Sequence, residues 1–537
     1  MRKSKSFWAT MIILAVLAVL AVIWLTGGTG KQVPVTQTQA PEGAFIMAGA
    51  DTYHYTRNWS TNAFFKRMEE RTGVSFAFSQ FYDLESFAKW KSGLTKESAD
   101  LPDVLFKACL SDDEIRTLVD RGVLIDLSDY LNAETMPNLS ALFAEHPEWK
   151  AACTLPDGKV YTLPMIDPLQ TNNLMWVNTK WLSKVDVNKK DITDAEKLTG
   201  VLRAFRDEDA NSNGNPNDET PLTFSGMWSL RFLLHAYGVT MNDYQLATDD
   251  ANRVFTPLTT AQMREGLQWL HTLYEENLID HAGFTTPETM RKITDDKNIP
   301  YGMILSSDVT SLLQTTQLNS YEALLPLTYD GKQIYRSFLG PVTRGTFAVT
   351  SRCGDPAAVL RWVDALYSDE GCYLALIGQQ AVYGENGEVI RDGEYVVESS
   401  GEWRWKVAAD QIESQVYAKS TIGSDLPMPG YVQPEFQRRF ADETIRKQVD
   451  QLEQVSRFAT EPCPQVFFTA EESARLAEIW PPLASYIEKQ LTWFVTGEES
   501  LDDTGWDAFC AEIDRLGMDE VITIWQGAVD RFEEARK

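Results

Sequence analysis

The sequence predicts an α/β protein of doubly wound, mostly parallel sheets with a helical C-terminal part, carried behind an N-terminal transmembrane helix. Three observations predict it. Short apolar strand patterns alternate with amphipathic helix patterns through the middle of the chain. The last third, from about Gln433, keeps helical spacing alone. Phe7 to Leu25 is an uncharged apolar run, with Trp8 and Trp24 near its ends. At 537 residues the chain exceeds a single core, and two or three domains are expected.

The elements follow in order. Arg2, Lys3 and Lys5 precede the apolar run, which at about 1.5 Å per residue nearly matches a hydrocarbon core of roughly 30 Å. The basic flank stays inside, and everything after the helix lies outside. Residues 1–26 therefore read as a membrane anchor, with a cleaved signal segment as the alternative. Residues 27–43, rich in Gly, Thr, Gln and Pro, read as a flexible tether spanning on the order of 20 Å. Ala44 to Ala48 is a strand, Asn62 to Arg71 a helix burying Phe64, Phe65 and Met68 before Gly73, and Val74 to Phe78 a second strand. Val104 to Phe106 is a third. Ser111 to Glu114 is a capping box that opens a helix with Ile115, Leu118 and Val119 on one face. Leu174 to Val177, Tyr301 to Leu305 and Thr346 to Val349 are further strands. Thr193 to Glu196 and Asp355-Pro356 start helices, and Thr469 to Glu472 is another capping box. Trp506, Phe509, Ile513 and Leu516 form one apolar stripe, and Val521, Ile522, Trp525, Val529 and Phe532 another.

Composition removes several function classes. With 77 acidic against 49 basic residues the formal charge is −28, a field that repels nucleic acid and anionic membrane faces. The six cysteines are scattered without a C-x-x-C pair, so neither zinc nor a dense disulfide framework is indicated. No H-E-x-x-H, G-x-S-x-G or phosphate loop occurs. A carboxylate pair for glycoside hydrolysis stays open, because among 77 acidic residues only geometry selects one.

The stretch 207–219 carries the most distinctive pattern. Asp209, Asn211, Asn213, Asn215 and Asn217 place a side-chain oxygen at every second position, with Gly214 at the turn and the carboxylates of Asp218 and Glu219 at the end. Alternating oxygen donors around a glycine wrap a chain about a hard cation such as calcium. Position twelve is Thr220, where a helix-loop-helix calcium hand carries Glu, so this loop must close earlier. A metal-free Asx-rich turn is the alternative.

Several stretches in sequence resemble one family: Phe65–Val74, Asp100–Phe106, the Pro-Asp-Gly-Lys-Val-Tyr-Thr-Leu-Pro run at Pro156–Pro164, Leu174–Leu182 and Tyr367–Gly371. Together they look like the extracellular solute-binding proteins of bacterial ABC importers, of the carbohydrate type. The resemblance implies a two-lobed, periplasmic-binding-protein-like fold of type II, closing over a ligand in the cleft. On that reading 44–167 and 345–398 form lobe 1, and 168–344 and 399–537 form lobe 2. It implies a structural calcium site in the 207–219 loop, an ABC permease in the membrane as partner, and a monomer on the outer face of the cell. The family's lipobox cysteine is missing here, which leaves the N-terminal helix as the anchor.

Ligands of doubly wound sheets bind beyond the carboxyl ends of strands. A sugar needs aromatic rings for its C–H face and polar side chains for its hydroxyls. Position then selects Asp51 and Tyr53 after the first strand, Lys107 after the third, Trp176 on a crossover strand, Trp228 before a helix, and Trp403 in a polar bracket. Core burial is the alternative for each. Trp269 and Trp525 sit on apolar helical stripes and are read as core. The function expected is capture of an oligosaccharide or similar solute by lobe closure, without catalysis. An anchored extracellular glycoside hydrolase and a peptide-binding or sensor protein of the same fold are the rivals.

Overall fold

The computed structural model describes residues 36–37, 43–52, 57–169, 173–215, 217–286, 299–307, 309, 312–336, 340–406, 417–423, 426–435, 438 and 443–537. The expected anchor and most of the tether lie outside these residues, as does Tyr53. Among the described residues no helix is long and apolar enough to cross a membrane.

Local signals set the element ends. Strand β1 is Phe45–Ala50. The Asn62 side chain accepts the Phe64 amide and Gly73 takes a left-handed φ of 72°, bracketing helix α1 at Ala63–Thr72. Strands β2, Phe76–Phe81, and β3, Val104–Phe106, follow. Both halves of the Ser111–Glu114 capping box are made at the start of α2, Asp112–Asp120. Helix α3 is Pro147–Cys153, β4 Thr162–Ile166 and β5 Leu174–Asn178. Asp194 caps α4, Ala195–Asp207, which leads through the Asx-rich loop into β6, Thr220–Thr223. A short helix α5, Gly226–Leu230, and the long α6, Ala261–Glu275, precede β7, Tyr301–Ser306, and β8, Tyr321–Ala323. Strand β9 is Val342–Val349, and Asp355 caps α7, Pro356–Asp364. A hairpin of β10, Tyr395–Val397, and β11, Trp403–Trp405, comes before β12, Gly430–Tyr431. The chain ends in α8, Ala470–Thr496, α9, Asp503–Arg515, and α10, Met518–Arg536.

Two sheets organise these elements. The larger runs in the order of a short strand Thr36–Gln37, then β2, β1, β3, β9, β4 and β12; the smaller runs β8, β5, β7, β6. The expectation of mostly parallel sheets is corrected. Strands β1, β2 and β3 are parallel, but β9 is antiparallel to both β3 and β4. In the second sheet β7 is parallel to β6 and antiparallel to β5. The reason is the path of the chain: between β4 and β9 it passes through every strand of the second sheet, and β9 then returns beside β4, running against its neighbours. Strand β12, within the 399–537 stretch expected in lobe 2, pairs with β4 of the first sheet.

Apolar packing follows the sheets. On one face of the first sheet Met47, Val104 and Phe106 join Trp59, Phe64 and Trp362; on the other Ala48, Ala50 and Leu105 meet Ile115 and Leu118. The C-terminal helices bridge both halves. Helix α8 packs on α6, and α10 packs on α3 of the first half. Trp269 and Trp525 are buried, as their helical stripes predict.

Candidate functional site

Each of the two sheets carries a polar arrangement at the carboxyl ends of its strands. In the first, β1 is followed by Asp51 and β3 by Lys107, neither with any exposed surface. Arg57 Nη1 lies 3.2 Å from one Asp51 oxygen, Trp59 Nε1 donates to the other at 3.1 Å, and Lys107 Nζ stands 3.5 Å away. Lys107 and Arg57 both donate to the Ile422 carbonyl, at 2.9 and 3.0 Å. Asn62 Nδ2 donates to the carbonyls of Ala418 and Thr421. The buried ions thus hold segment 417–423 over the sheet edge. Gly423 permits this at φ +63, where a Cβ would sit 2.5 Å from Arg57 Nη2.

In the second, Trp228 stands on α5 directly after β6, half-buried, with its ring edge-on to Phe232 at 5.4 Å. Trp176 is buried in β5, and its Nε1 donates to the Ser306 carbonyl at the end of β7. Asn173 Nδ2 donates to Ser229 Oγ, which donates in turn to the Leu305 carbonyl. Trp403 is placed elsewhere, on the β10–β11 hairpin, stacked on Tyr395 at 4.7 Å and edge-on to Tyr373. Arg67 and Glu394 tie that hairpin to α1. Of the sequence candidates, Asp51 and Lys107 come together in one half and Trp176 and Trp228 border the other. Arg57, Trp59, Asn173 and Ser229 were not anticipated. Position after a strand end marks Ser229 in the sequence; nothing local marks Arg57.

Between the halves lies a cavity of about 590 Å³, walled by the start of α2, Asn242–Tyr244, the crossovers around Gly340 and Pro462, and residues of α8 and α10. Arg344 fixes one wall. It donates to the carbonyls of Ala152 and Val466, pairs with Asp112 at 2.7 Å, and stacks 4.0 Å over the Phe467 ring. Burial raises the Asp112 carboxyl above its ordinary value despite Arg344 and Arg116 beside it.

The 207–219 loop is coiled on its own amides. Asp209 accepts from the backbone of Asn213 and Gly214, Asn211 from Asn213, and Asn213 from Asn215. Asn215 accepts from the Asn217 amide at 3.4 Å. The side-chain amides of Asn211 and Asn213 both donate to Asp218. Glu219 is different: both of its oxygens are closed off from solvent, and no well-aligned hydrogen bond reaches them. Burial raises its carboxyl above the ordinary range; nearby backbone amides offset part of this, and the charges of Asp218 and Asp209 add to it. Among the described residues no three His, Cys, Asp or Glu side chains cluster for a metal. The amide-rich oxygen set, with the solvent-shielded oxygens of Glu219 at its end, fits a hard cation, which favours oxygen ligands of any type.

Comparison with known proteins agrees with this architecture. The profile of the bacterial extracellular solute-binding proteins matches residues 63–372. The fructooligosaccharide ABC transporter substrate-binding protein FusA of Streptococcus pneumoniae is 26% identical over 489 residues, 87% of this chain and 86% of that protein. A structure of the S. pneumoniae FusA EF-hand mutant in complex with fructo-nystose superposes with a TM-score of 0.63 at 22% identity, covering 91% of this chain and 99% of that one. An HMO-binding, ABC-transporter-associated solute-binding protein from Bifidobacterium longum infantis gives 0.70 at 18% identity, with 91% and 99% covered.

Proposed function

Because this chain belongs to the bacterial extracellular solute-binding proteins, we propose that it captures an oligosaccharide between its two lobes and delivers it intact to an ABC permease. The observation that carries this reading is the cavity of about 590 Å³ walled by residues of both halves, with aromatic rings and charged side chains along it. A ligand held by both halves favours the closed arrangement by the difference between its contacts in the two states. Trp228 is assigned the stacking platform on one edge. Asp51 and Lys107 act beneath the other, positioning segment 417–423, and Trp176 holds the Ser306 end of β7.

The 207–219 loop is assigned a structural calcium ion. Asp209, Asn211 and Asn213 would supply the first oxygen donors and Glu219 the closing carboxylate, with Asn215, Asn217 and Asp218 completing the wrap. The FusA EF-hand mutant points the same way for that protein. The basic-flanked run Phe7 to Leu25 would keep the monomeric body at the outer membrane face.

The test is a thermal-shift and calorimetric panel of oligosaccharides and peptides with calcium present, combined with product analysis. A saturable shift by an oligosaccharide that is recovered unchanged is expected. Release of shorter sugars makes the protein a hydrolase, and a shift by peptides alone overturns the carbohydrate reading.

A further inference from the structure

Arg231 is a buried cation. It follows α5 at the start of a short 3₁₀ helix, Arg231–Tyr237, and only 8% of it meets solvent. Among the described residues it makes no hydrogen bond and no ion pair, and its Nε is closed off from solvent. Burial pulls its pKa down to about 10, with Glu488 pushing back and Arg336 adding to the fall, so it stays charged at neutral pH. A charge held in that state costs stability unless an opposite charge meets it. The neighbouring Arg336 makes the demand larger. It lies on the two-residue strand Tyr335–Arg336, which pairs in parallel with Ala459–Thr460 beside the crossovers. Its own charge is answered by Asp243 at 2.7 Å and by the Phe232 ring 5.4 Å away. Arg231 has no such partner among the described residues.

The two arginines line one small cavity with Phe232, Val239, Thr240 and Met241, and no carboxylate borders it. His235 borders it too, but both ring nitrogens are engaged, Nδ1 with the Phe232 carbonyl and Nε2 with the Leu327 amide. A guanidinium group has donors alone, so an occupant must accept. At about 10 Å³ the space takes one guest the size of a water molecule and is far too small for a sugar ring or a phosphate. Water fits but carries no charge. In a chain of net charge −28 diffuse attraction favours cations, so an anion held here is held by these two groups. We propose that Arg231 and Arg336 hold a single chloride ion, which ties the end of α5 to the strand at the crossovers. The site stands apart from the oligosaccharide reading and does not depend on it.

The test uses the full-length chain in sodium and calcium gluconate, with chloride exchanged in at constant ionic strength. Wild type is expected to show a saturable rise in Tm of about 2 °C once chloride is about tenfold above its Kd. Sulfate at the same ionic strength is expected not to reproduce it. Arg231→Met keeps an apolar stem and removes the charge. That variant is expected to lose the chloride response and, in gluconate, to melt no lower than wild type. Wild-type crystals soaked in bromide are expected to give an anomalous peak between the two guanidinium groups. No chloride response in wild type, the same response in Arg231→Met, an equal response to sulfate, or a cavity holding water alone in bromide overturns the proposal. If Arg231→Met does not fold, the wild-type bromide experiment decides: a peak at this place upholds the site, and its absence removes it.

Discussion

Lys107 Nζ lies 3.5 Å from the Asp51 carboxylate with both side chains wholly withdrawn from solvent, and Arg57 pairs with the same carboxylate at 3.2 Å. Two cations around one anion in a buried site are tolerable only while that anion is present. Removing one member of a buried pair leaves an uncompensated charge and costs about 3–5 kcal/mol. Asp51→Ala is therefore expected to destabilise the protein by that amount in urea unfolding and to loosen segment 417–423, read as faster amide exchange there. Unchanged stability would show that the pair does not hold the edge.

The sequence made the elements legible where the signal is local. Ser111 and Glu114 lie within one helical turn and declare a capping box, which the structure forms in full. Asn62 and Gly73 mark both ends of one helix in the same way. Strand direction was not legible, since the antiparallel placement of β9 depends on the chain having visited another lobe first. Nor was the lobe-1 polar cluster, because Arg57 meets Ile422 across 365 residues. The Asx loop shows its alternation in the sequence, but only the fold reveals that both Glu219 oxygens are closed off from solvent.

Glu219 gives a prediction with two signs. In the metal-free protein its raised carboxyl favours the protonated folded form, so that contribution to stability is present at acidic pH and lost as pH rises through the folded value. Calcium supplies the missing countercharge, and at a hundredfold excess over Kd it adds about 2.7 kcal/mol. Glu219→Gln is expected to make the metal-free protein as stable as wild type or more so at neutral pH, yet to shrink the calcium-induced rise in Tm. A Glu219→Gln protein with the full calcium shift would remove Glu219 from the site.

His235 is buried and neutral. Its Nε2 accepts the Leu327 amide at 2.9 Å, so Nδ1 carries the proton and donates to the Phe232 carbonyl. Burial pushes its pKa down to about 4, against an unfolded value near 6.5. The stability tied to the neutral ring is fully present above the unfolded value and is lost as pH falls toward about 4, on the order of 3 kcal/mol in all. His235→Gln should flatten the fall in Tm across that window. An identical acid profile in the variant would assign the loss to other groups.

Trp228 and Trp176 separate contact from support on the lobe-2 edge. The half-buried Trp228 has ring surface to offer a sugar, and loss of such a platform at a binding site costs about 1.4 kcal/mol, or roughly tenfold in Kd. Trp228→Ala is expected to weaken oligosaccharide binding by at least that factor with little change in Tm. Trp176 is buried and its Nε1 donates to the Ser306 carbonyl at 3.0 Å. Trp176→Phe keeps most of the packing but removes that hydrogen bond, at a cost of about 0.5–1.5 kcal/mol in stability. Its effect on affinity should be smaller than that of Trp228→Ala. Calorimetry and denaturant unfolding on the two variants measure both axes. If Trp228→Ala binds as wild type does while Trp176→Phe loses affinity, the binding role passes from α5 to β5.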